Sequence, residues 1–375
     1  MNVLYFSNAR IPTEKAHGIQ VMKMCESLAK EVEVELVVPR RFNWIKNDPF
    51  EYYGVERNFK IRKLPCLDLI FLDKYLGHLA LWVESITFAF FSFWHLLFKK
   101  ADIIYTRDKF LLPLIFFKKN LIFEAHTFPQ KYFLYAIFLK RLKGIVVITQ
   151  KLKESFVSRG ISSDKILVAP DGVDIEMFDV RCSRFEAREK LGLPQDKKIV
   201  LYTGHLYKWK GVQTLAHTLV HAIRYTDAEV YLVGGTKEDV KRLKSGTSDI
   251  KRIHIIGHRP YAEIPYWLKA ADVLVLPNSG KEEISVSWTS PMKMFEYMVA
   301  RRPIVASDLP SLREVLNEEN AFLVKPDDAE ALAKGIKEIL EDSQLAENLA
   351  NKAFQDVQKY SWAKRVENIL AFAKS

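Results

Sequence analysis

The feature that most constrains this chain is an alternation of short apolar runs with helix-period stretches, which begins at residue 2, pauses near residue 170 and restarts at residue 198. Residues 2–8 (NVLYFSN) are an apolar run, residues 19–30 (IQVMKMCESLAK) carry apolar side chains at helical spacing, and residues 32–39 (VEVELVVP) alternate as a strand does. Further strands are expected at 59–64, 102–107, 121–125, 144–149 and 165–169, and after the pause at 198–203, 229–233, 252–256, 272–277, 303–306 and 321–324. Strand and helix in strict succession mean parallel sheets with helices on both faces, so the fold class is α/β, built as two such sheets in series. With 375 residues the chain fits two domains. We place them at 1–180 and 181–358, with a last helix at 359–375 expected to return towards the first. Open parallel sheets bind ligands beyond the carboxyl ends of their strands, so the expected site is a cleft lined by those ends.

Composition narrows the function classes. Hydrophobic residues at 49% and charged residues at 27% exclude a disordered or collagen-like chain. Cys25, Cys66 and Cys182 are odd in number and too widely spaced for a metal-ligand pair or a disulfide framework, which points to a reducing compartment. No export signal is read at the N-terminus, and the expected location is the cytoplasm. The net charge of +10 is unevenly placed: residues 1–170 hold 26 Lys and Arg against 16 Asp and Glu, leaving 30 of each for the rest. A basic first half beside a neutral second half points to a polyanion at the first domain, with an anionic bilayer preferred to nucleic acid. A merely soluble basic surface is the plainer alternative.

Residues 75–98 form the most apolar stretch, nearly long enough to span a bilayer. On a helical projection His78, Glu84, Ser85, Ser92 and His95 share one narrow stripe, with Lys74 and Lys99 at its ends. Three readings follow: a spanning helix, disfavoured by Glu84; an ordinary crossover helix buried on its sheet; and a helix that also offers an apolar flank to a membrane. The clusters Lys99–Lys100, Lys118–Lys119 and Lys140–Lys143, beside LLPLIFF and FLYAIFL, lean towards the last. The protein is then expected to sit peripherally at the inner face of the membrane.

Chemistry is sought where strands end. Neither GxGxxG nor GxxxxGK occurs, which argues against a dinucleotide oxidoreductase and a P-loop enzyme. After the first strand comes the long loop NARIPTEKAHG, whose Gly18 stands just ahead of a helix expected from Ile19; it is either a close-approach glycine for a ligand or a plain turn residue. In the second half YTGHLYKWKG follows a strand, with Gly204 as the turn and His205, Lys208 and Lys210 as cations suited to a diphosphate. After the strand DVLVLPN, Ser290 and Pro291 read as N-cap and first residue of a helix whose free amides suit phosphate oxygens. Glu296, one turn inside that helix among Met294, Phe295, Tyr297 and Met298, is placed to accept hydrogen bonds from ribose hydroxyls, or is otherwise a solvated helix residue.

The strings SPMKMFEYMVARRPIVASD, PDGVD (170–174), YTGHLYKWKG and YSWAKRVENIL, in that family's spacing, resemble the family-four retaining glycosyltransferases. The resemblance covers nearly the whole chain. It implies the GT-B fold, two Rossmann-like domains facing across a cleft, with a UDP- or GDP-sugar as co-substrate mainly on the second domain and an acceptor mainly on the first. By that pattern Glu296 matches the ribose-binding glutamate, Lys210 the lysine on the donor diphosphate, His126 in FEAHTFP the histidine near the transferred sugar, and Gly18 the glycine loop facing donor and acceptor. His126, Lys210 and Glu296 are thus the candidate catalytic residues. Gly18, Gly204, His205, Lys208, Lys210, Gly257, Ser290, Pro291, Met292, Lys293 and Glu296 are the candidate donor-binding residues. A buried structural histidine is the alternative for His126.

Two departures bear on specificity. The family's first glutamate, eight residues before the second, is here Trp288, with Glu282 or Glu283 as possible substitutes. The arginine usual after the turn glycine is here His205, only partly cationic at neutral pH. No DxD string lies near either cleft edge, so neither a metal nor another cofactor is expected. The acceptor is expected to be a glycan, lipid-linked or membrane-associated. A nucleotide-sugar 2-epimerase of the same architecture and a basic nucleic-acid-binding protein are the alternatives, the latter without any recognised motif.

Overall fold

The computed structural model describes residues 1–72, 75, 77–206, 210, 227–247 and 252–374. The chain divides into two compact units, Met1–Pro170 with Trp362–Ser375, and Asp171–Ser361. The first division therefore falls about ten residues before the expected 180 and the second three residues after the expected 358. The reason is local: Val173 and Phe178 belong to the second unit's core, and Val173 donates its amide to the Tyr360 carbonyl at 3.0 Å.

The first unit is a seven-stranded parallel sheet of β1 (Asn2–Phe6), β2 (Glu33–Pro39), β3 (Lys60–Leu64), β4 (Ile103–Thr106), β5 (Leu121–Ala125), β6 (Gly144–Val147) and β7 (Ile166–Val168), ordered 3-2-1-4-5-6-7. The second is a six-stranded parallel sheet of β8 (Lys198–Thr203), β9 (Ala228–Val233), β10 (Ile253–Gly257), β11 (Val273–Leu276), β12 (Ile304–Ser307) and β13 (Phe322–Val324), ordered 10-9-8-11-12-13. Every expected strand forms, within two residues at each end. Runs such as Leu36-Val37-Val38 and Val273–Leu276 are buried throughout because helices cover both faces. Within the second sheet successive residues alternate between two cores: Ile199, Leu201, Leu274 and Leu276 join the core on one face, Val200, Tyr202, Val273 and Val275 that on the other.

Strand order reverses beside β1 and β4 in the first sheet and beside β8 and β11 in the second. At such a point successive connections leave in opposite directions and open a crevice at the carboxyl edge. The segments following β8 and β11 carry Gly204 and the helix Met292–Val299, so the topology alone brings these two segments to one place.

One helix departs from expectation. The connection from β3 to β4 is the helix His78–Phe98, long and apolar enough to cross a membrane by length and composition. It is a crossover helix, as the second reading had it, but its apolar side is not the buried one. Glu84, Ser85 and Ser92 are turned inwards, while Trp82, Ile86, Phe90 and Trp94 are exposed. The apolar run is therefore not a core stripe, because the polar stripe has partners on the sheet side: Glu84 accepts from Arg41 Nε at 2.9 Å and from Asn8 Nδ2 at 3.1 Å.

Candidate functional site

In the second unit β8 ends at Thr203 and the chain turns at Gly204, whose φ of +117° is open to glycine at little cost. Beside it Gly234 ends β9, and a Cβ built there would lie 2.4 Å from the Gly204 carbonyl oxygen, so the two backbones meet where no side chain fits. Gly257 closes β10 and accepts the Gly234 amide at 2.8 Å. Three strand ends thus present bare backbone along one edge.

The helix Met292–Val299 points its first turn at this edge. It begins one residue later than expected for its first position: Pro291 is the N-cap, and Met292 the first helical residue. Ser290 does not cap the helix. Its Oγ instead accepts the Asp171 amide at 3.3 Å, tying the PDGVD segment to this loop. Tyr297 fixes the helix to the sheet, its hydroxyl accepting the Thr203 amide at 2.7 Å.

Three charged side chains meet here. Lys293 is buried, with Nζ 3.6 Å from the centre of the Tyr202 ring and no hydrogen-bond partner among the described residues. A Cβ on Gly204 would lie 3.9 Å from that Nζ, which places the ammonium beneath the turn. Burial pushes Lys293 well below the ordinary lysine value, the charge of Lys210 adds to this, and Glu296 opposes it. Lys210, half-buried, is pushed down to about 8 by burial, again against Glu296. Glu296 is buried and accepts the Tyr261 hydroxyl at 2.9 Å. Burial raises it to about 7 in spite of Tyr261, Lys293 and Lys210, which all favour the carboxylate. Two desolvated amines and one carboxyl thus meet at this edge, an arrangement that an anion bearing two or more charges would complement.

Other sequence candidates fall around this cluster. His205 follows Gly204 directly, and its carbonyl accepts the Tyr202 hydroxyl at 2.8 Å. Lys208 lies outside the described residues. Trp288 is half-buried in the loop before the helix, and Glu282 and Glu283 are exposed. Two residues were missed by sequence reading. Tyr261, just beyond β10, orients Glu296, and only an aromatic residue shortly after a strand-end glycine could have signalled it. Asn278, directly beyond β11, is 1% exposed, and neither amide atom has a partner among the described residues. That leaves a buried hydrogen-bonding group ready for a ligand or water. Among the described residues no group of three or more His, Cys, Asp or Glu side chains could hold a metal ion.

The first unit has its own charged constellation. His126, just after β5, is 23% exposed at its side chain and places Nε2 2.6 Å from Glu124 Oε1. Glu124 is buried; Arg365 stands 3.2 Å from its other oxygen, to which Tyr105 also donates. Burial would raise that carboxyl, but Arg365, then His126 and Arg107, hold it well below the usual carboxylate range. A partly open imidazole held by an ionised carboxylate is an oriented group rather than a merely buried one.

Gly18 is a helix residue rather than a turn residue. The helix starts at Ala16, not Ile19, so Gly18 lies within its first turn. A Cβ on it would stand 2.2 Å from the Tyr53 hydroxyl, which itself donates to the Thr13 carbonyl. Its missing side chain makes room for Tyr53 and Thr13. Nearby, an open cavity of about 310 Å³ is lined by Arg41, Lys46 and Lys63 with Asn43 and Asn47, and by no acid among the described residues.

Fold and site together define a class: two Rossmann-like parallel-sheet units of the GT-B kind, the second with an anion-hungry cluster at its switch point. Residues 197–342 match the family described as glycosyl transferases group 1. The chain is 29% identical over 228 residues to a phosphatidyl-myo-inositol mannosyltransferase of Mycolicibacterium smegmatis, covering 60% of this chain and 55% of that protein. It is 26% identical over 240 residues to an uncharacterised glycosyltransferase of Methanocaldococcus jannaschii, covering 61% and 60%. The matches thus span less than two thirds of those relatives' own lengths. Among solved structures, sucrose-phosphate synthase of Thermosynechococcus elongatus aligns with TM-score 0.78 and 19% identity over the whole of both chains. HepE of Anabaena, in complex with UDP and glucose, aligns with TM-score 0.75 and 17% identity over 100% and 99%. Those two likenesses concern the fold. These sequence matches agree with the family-four resemblance of the motifs, most directly over residues 197–342, and the epimerase alternative finds no support among these relatives.

Proposed function

We propose that this protein transfers a hexose-type sugar from a nucleoside-diphosphate sugar to a lipid-linked or membrane-associated glycan, with retention of anomeric configuration and without a metal. The observation that carries the reading is the cluster of Lys210, Lys293, Glu296 and Tyr261 at the switch point of the second sheet. Solved structures of the same fold in complex with UDP or UDP-glucose support a nucleotide-sugar donor, and the mannosyltransferase relative supports a hexose and a lipid acceptor.

In this reading Lys210 and Lys293 neutralise the diphosphate, and Glu296, steadied by Tyr261, accepts hydrogen bonds from the ribose hydroxyls. As the anomeric C–O bond breaks, the sugar becomes cation-like and the departing diphosphate gains negative charge; fixed ammonium groups stabilise that charge as it grows. The acceptor oxygen then bonds to the anomeric carbon, and its proton passes to the departing phosphate. His126, held by Glu124, is the imidazole the first unit offers to substrate. The cavity lined by Lys46 and Lys63 with Asn43 and Asn47 suits a phosphate on the acceptor. Three free cysteines fit work in the cytoplasm, at the inner face of the membrane.

The test is a thermal-shift series with UDP, GDP and their sugars. One nucleotide family should raise the melting temperature in proportion to the logarithm of its concentration, and Lys210→Met should abolish the rise. A series with no response from any nucleotide would refute the donor assignment.

A further inference from the structure

The helix His78–Phe98 is mounted inside out for a soluble protein. Its sheet side is held by polar contacts: Glu84 with Arg41 and Asn8, Ser85 Oγ with Asn8 at 2.9 Å, and, at the far end, Lys99 with Glu35 at 3.0 Å. Its outer side exposes Trp82, Ile86, Phe90, Trp94 and Phe98, the last by 83%. A soluble helix has the reverse arrangement.

The exposed apolar surface continues beyond this helix. The connections β3 to β4, β4 to β5 and β5 to β6 all advance in the same direction along the sheet, so right-handed crossovers put all three on one face. The second is the 3-10 segment Lys109–Phe116 and the third the helix Tyr132–Leu139. Ring contacts join them, Phe93 with Phe117 at 5.0 Å and Phe116 with Phe138 at 5.5 Å. Phe117 and Phe133 add exposures of 63% and 75%. Exposed aromatic residues gathered over three adjoining elements are the kind of surface that marks a partner or a membrane.

Charge identifies the occupant. Each connection ends in a basic cluster, Lys99–Lys100, Lys118–Lys119 and Lys140–Lys143, directly before β4, β5 and β6 begin. The clusters therefore form a row along the amino edge of the sheet, beside the apolar patch. Residues 362–375 add Lys364, Arg365 and Lys374 against Glu367, so the first unit carries a net +12, and the second −2. A second copy of so basic a unit is a poor partner, whereas a bilayer with anionic lipid supplies hydrocarbon for the aromatics and phosphates for the lysines.

We propose that the outer face of His78–Phe98, with Lys109–Phe116 and Tyr132–Leu139, is a monotopic docking surface that beds into an anionic bilayer while the lysine row meets its headgroups. This deepens the membrane part of the proposed function, and its failure leaves the donor assignment standing.

The test is flotation of the full chain with vesicles of phosphatidylcholine, alone or mixed with phosphatidylglycerol, at physiological salt. The protein should float with the mixed vesicles, and far less with the neutral ones. Phe98→Glu with Phe133→Glu, at sites too exposed to disturb folding, should lower partition at least about tenfold, while nucleotide binding in solution stays unchanged. Brominated lipid should quench tryptophan emission, and less so in Trp94→Phe. Absence of flotation, or flotation indifferent to the glutamates, would overturn the proposal. So would a dimer seen by sedimentation that the same variants dissociate in a chain that binds no vesicles.

Discussion

Donor binding should draw protons from solution, by an amount whose rise between pH 7 and pH 9 is set by Lys210. Its ammonium is pushed down to about 8 by burial. A diphosphate beside it offsets that burial and restores a value near the ordinary 10.5, so the bound state stays protonated from pH 7 to pH 9. The free protein is protonated there to about 0.9 at pH 7, about 0.5 at pH 8 and about 0.1 at pH 9. Uptake at Lys210 is therefore about 0.1, 0.5 and 0.9 protons at those pH values. The sign is fixed: the anion prefers the protonated form, so affinity is full below about 8 and falls as pH rises through it. The loss between pH 7 and pH 9 is about tenfold, or about 1.4 kcal/mol. Lys293, depressed further, acts with the same sign. Glu296, raised to about 7, acts oppositely, because ribose hydroxyls favour its carboxylate; that release is nearly complete above pH 8. Calorimetry in two buffers of different ionisation enthalpy gives the proton count directly. A nucleotide sugar is the better ligand, since its diphosphate stays ionised across this range. Uptake that does not rise from pH 7 to pH 9, or that Lys210→Met leaves unchanged, would refute the reasoning.

Tyr261→Phe removes a hydrogen bond that favours ionised Glu296, so nucleoside binding should weaken by about 1 kcal/mol at pH 7 and recover towards pH 9, as titration calorimetry would show. Gly18→Ala forces a Cβ against Tyr53; the protein should lose about 1–3 kcal/mol in urea melts with donor affinity unchanged, and Tyr53→Phe should restore part of it. Glu124→Gln leaves Arg365 buried without its partner and should cost the first unit about 3–5 kcal/mol. Because folding lowers the Glu124 pKa from its ordinary 4.5, that stabilisation is present above 4.5 and lost as pH falls through the folded value. The stability gap between the two proteins should therefore narrow in acid.

The sheets were legible because a strand buried on both faces has little choice of composition. Runs such as Val273–Leu276 and Gly144–Val147 can hardly be anything else at that length, flanked as they are. The donor cluster was legible as far as Lys210, Lys293 and Glu296, since cations at a strand end and an acid in an apolar helix each break a local pattern. Tyr261 broke none. Its hydroxyl matters only because the segment after β10 meets the helix that follows β11, with two strands lying between β10 and β11 in the sheet, a relation that no local reading supplies. The packing of Gly18 against Tyr53 was hidden for another reason. A glycine ahead of a helix looks alike whether it admits a phosphate or a tyrosine 35 residues away, and only the packing tells them apart.

The helix His78–Phe98 shows where periodicity stops informing. A projection finds the stripe of Glu84, Ser85, Ser92 and His95 but is silent on which side faces the protein, because that depends on what the sheet offers. Here the sheet offers Asn8 and Arg41, partners for a carboxylate, and Glu35, a partner for Lys99. A polar stripe that finds matching polar groups on the sheet can be buried with little loss, whereas the opposite orientation would leave Arg41 and Asn8 under hydrocarbon. The inversion is thus specified jointly by strand ends and helix, and each half alone looks ordinary. Replacing Arg41 with Met should therefore loosen the helix from the sheet without touching its apolar face, detectable as faster amide exchange along residues 78–98, and vesicle binding should become less dependent on helix orientation. If exchange along the helix is unchanged, apolar contacts at Ala80, Phe88 and Leu96 suffice to hold it, and the polar stripe is not what turns the greasy side outwards.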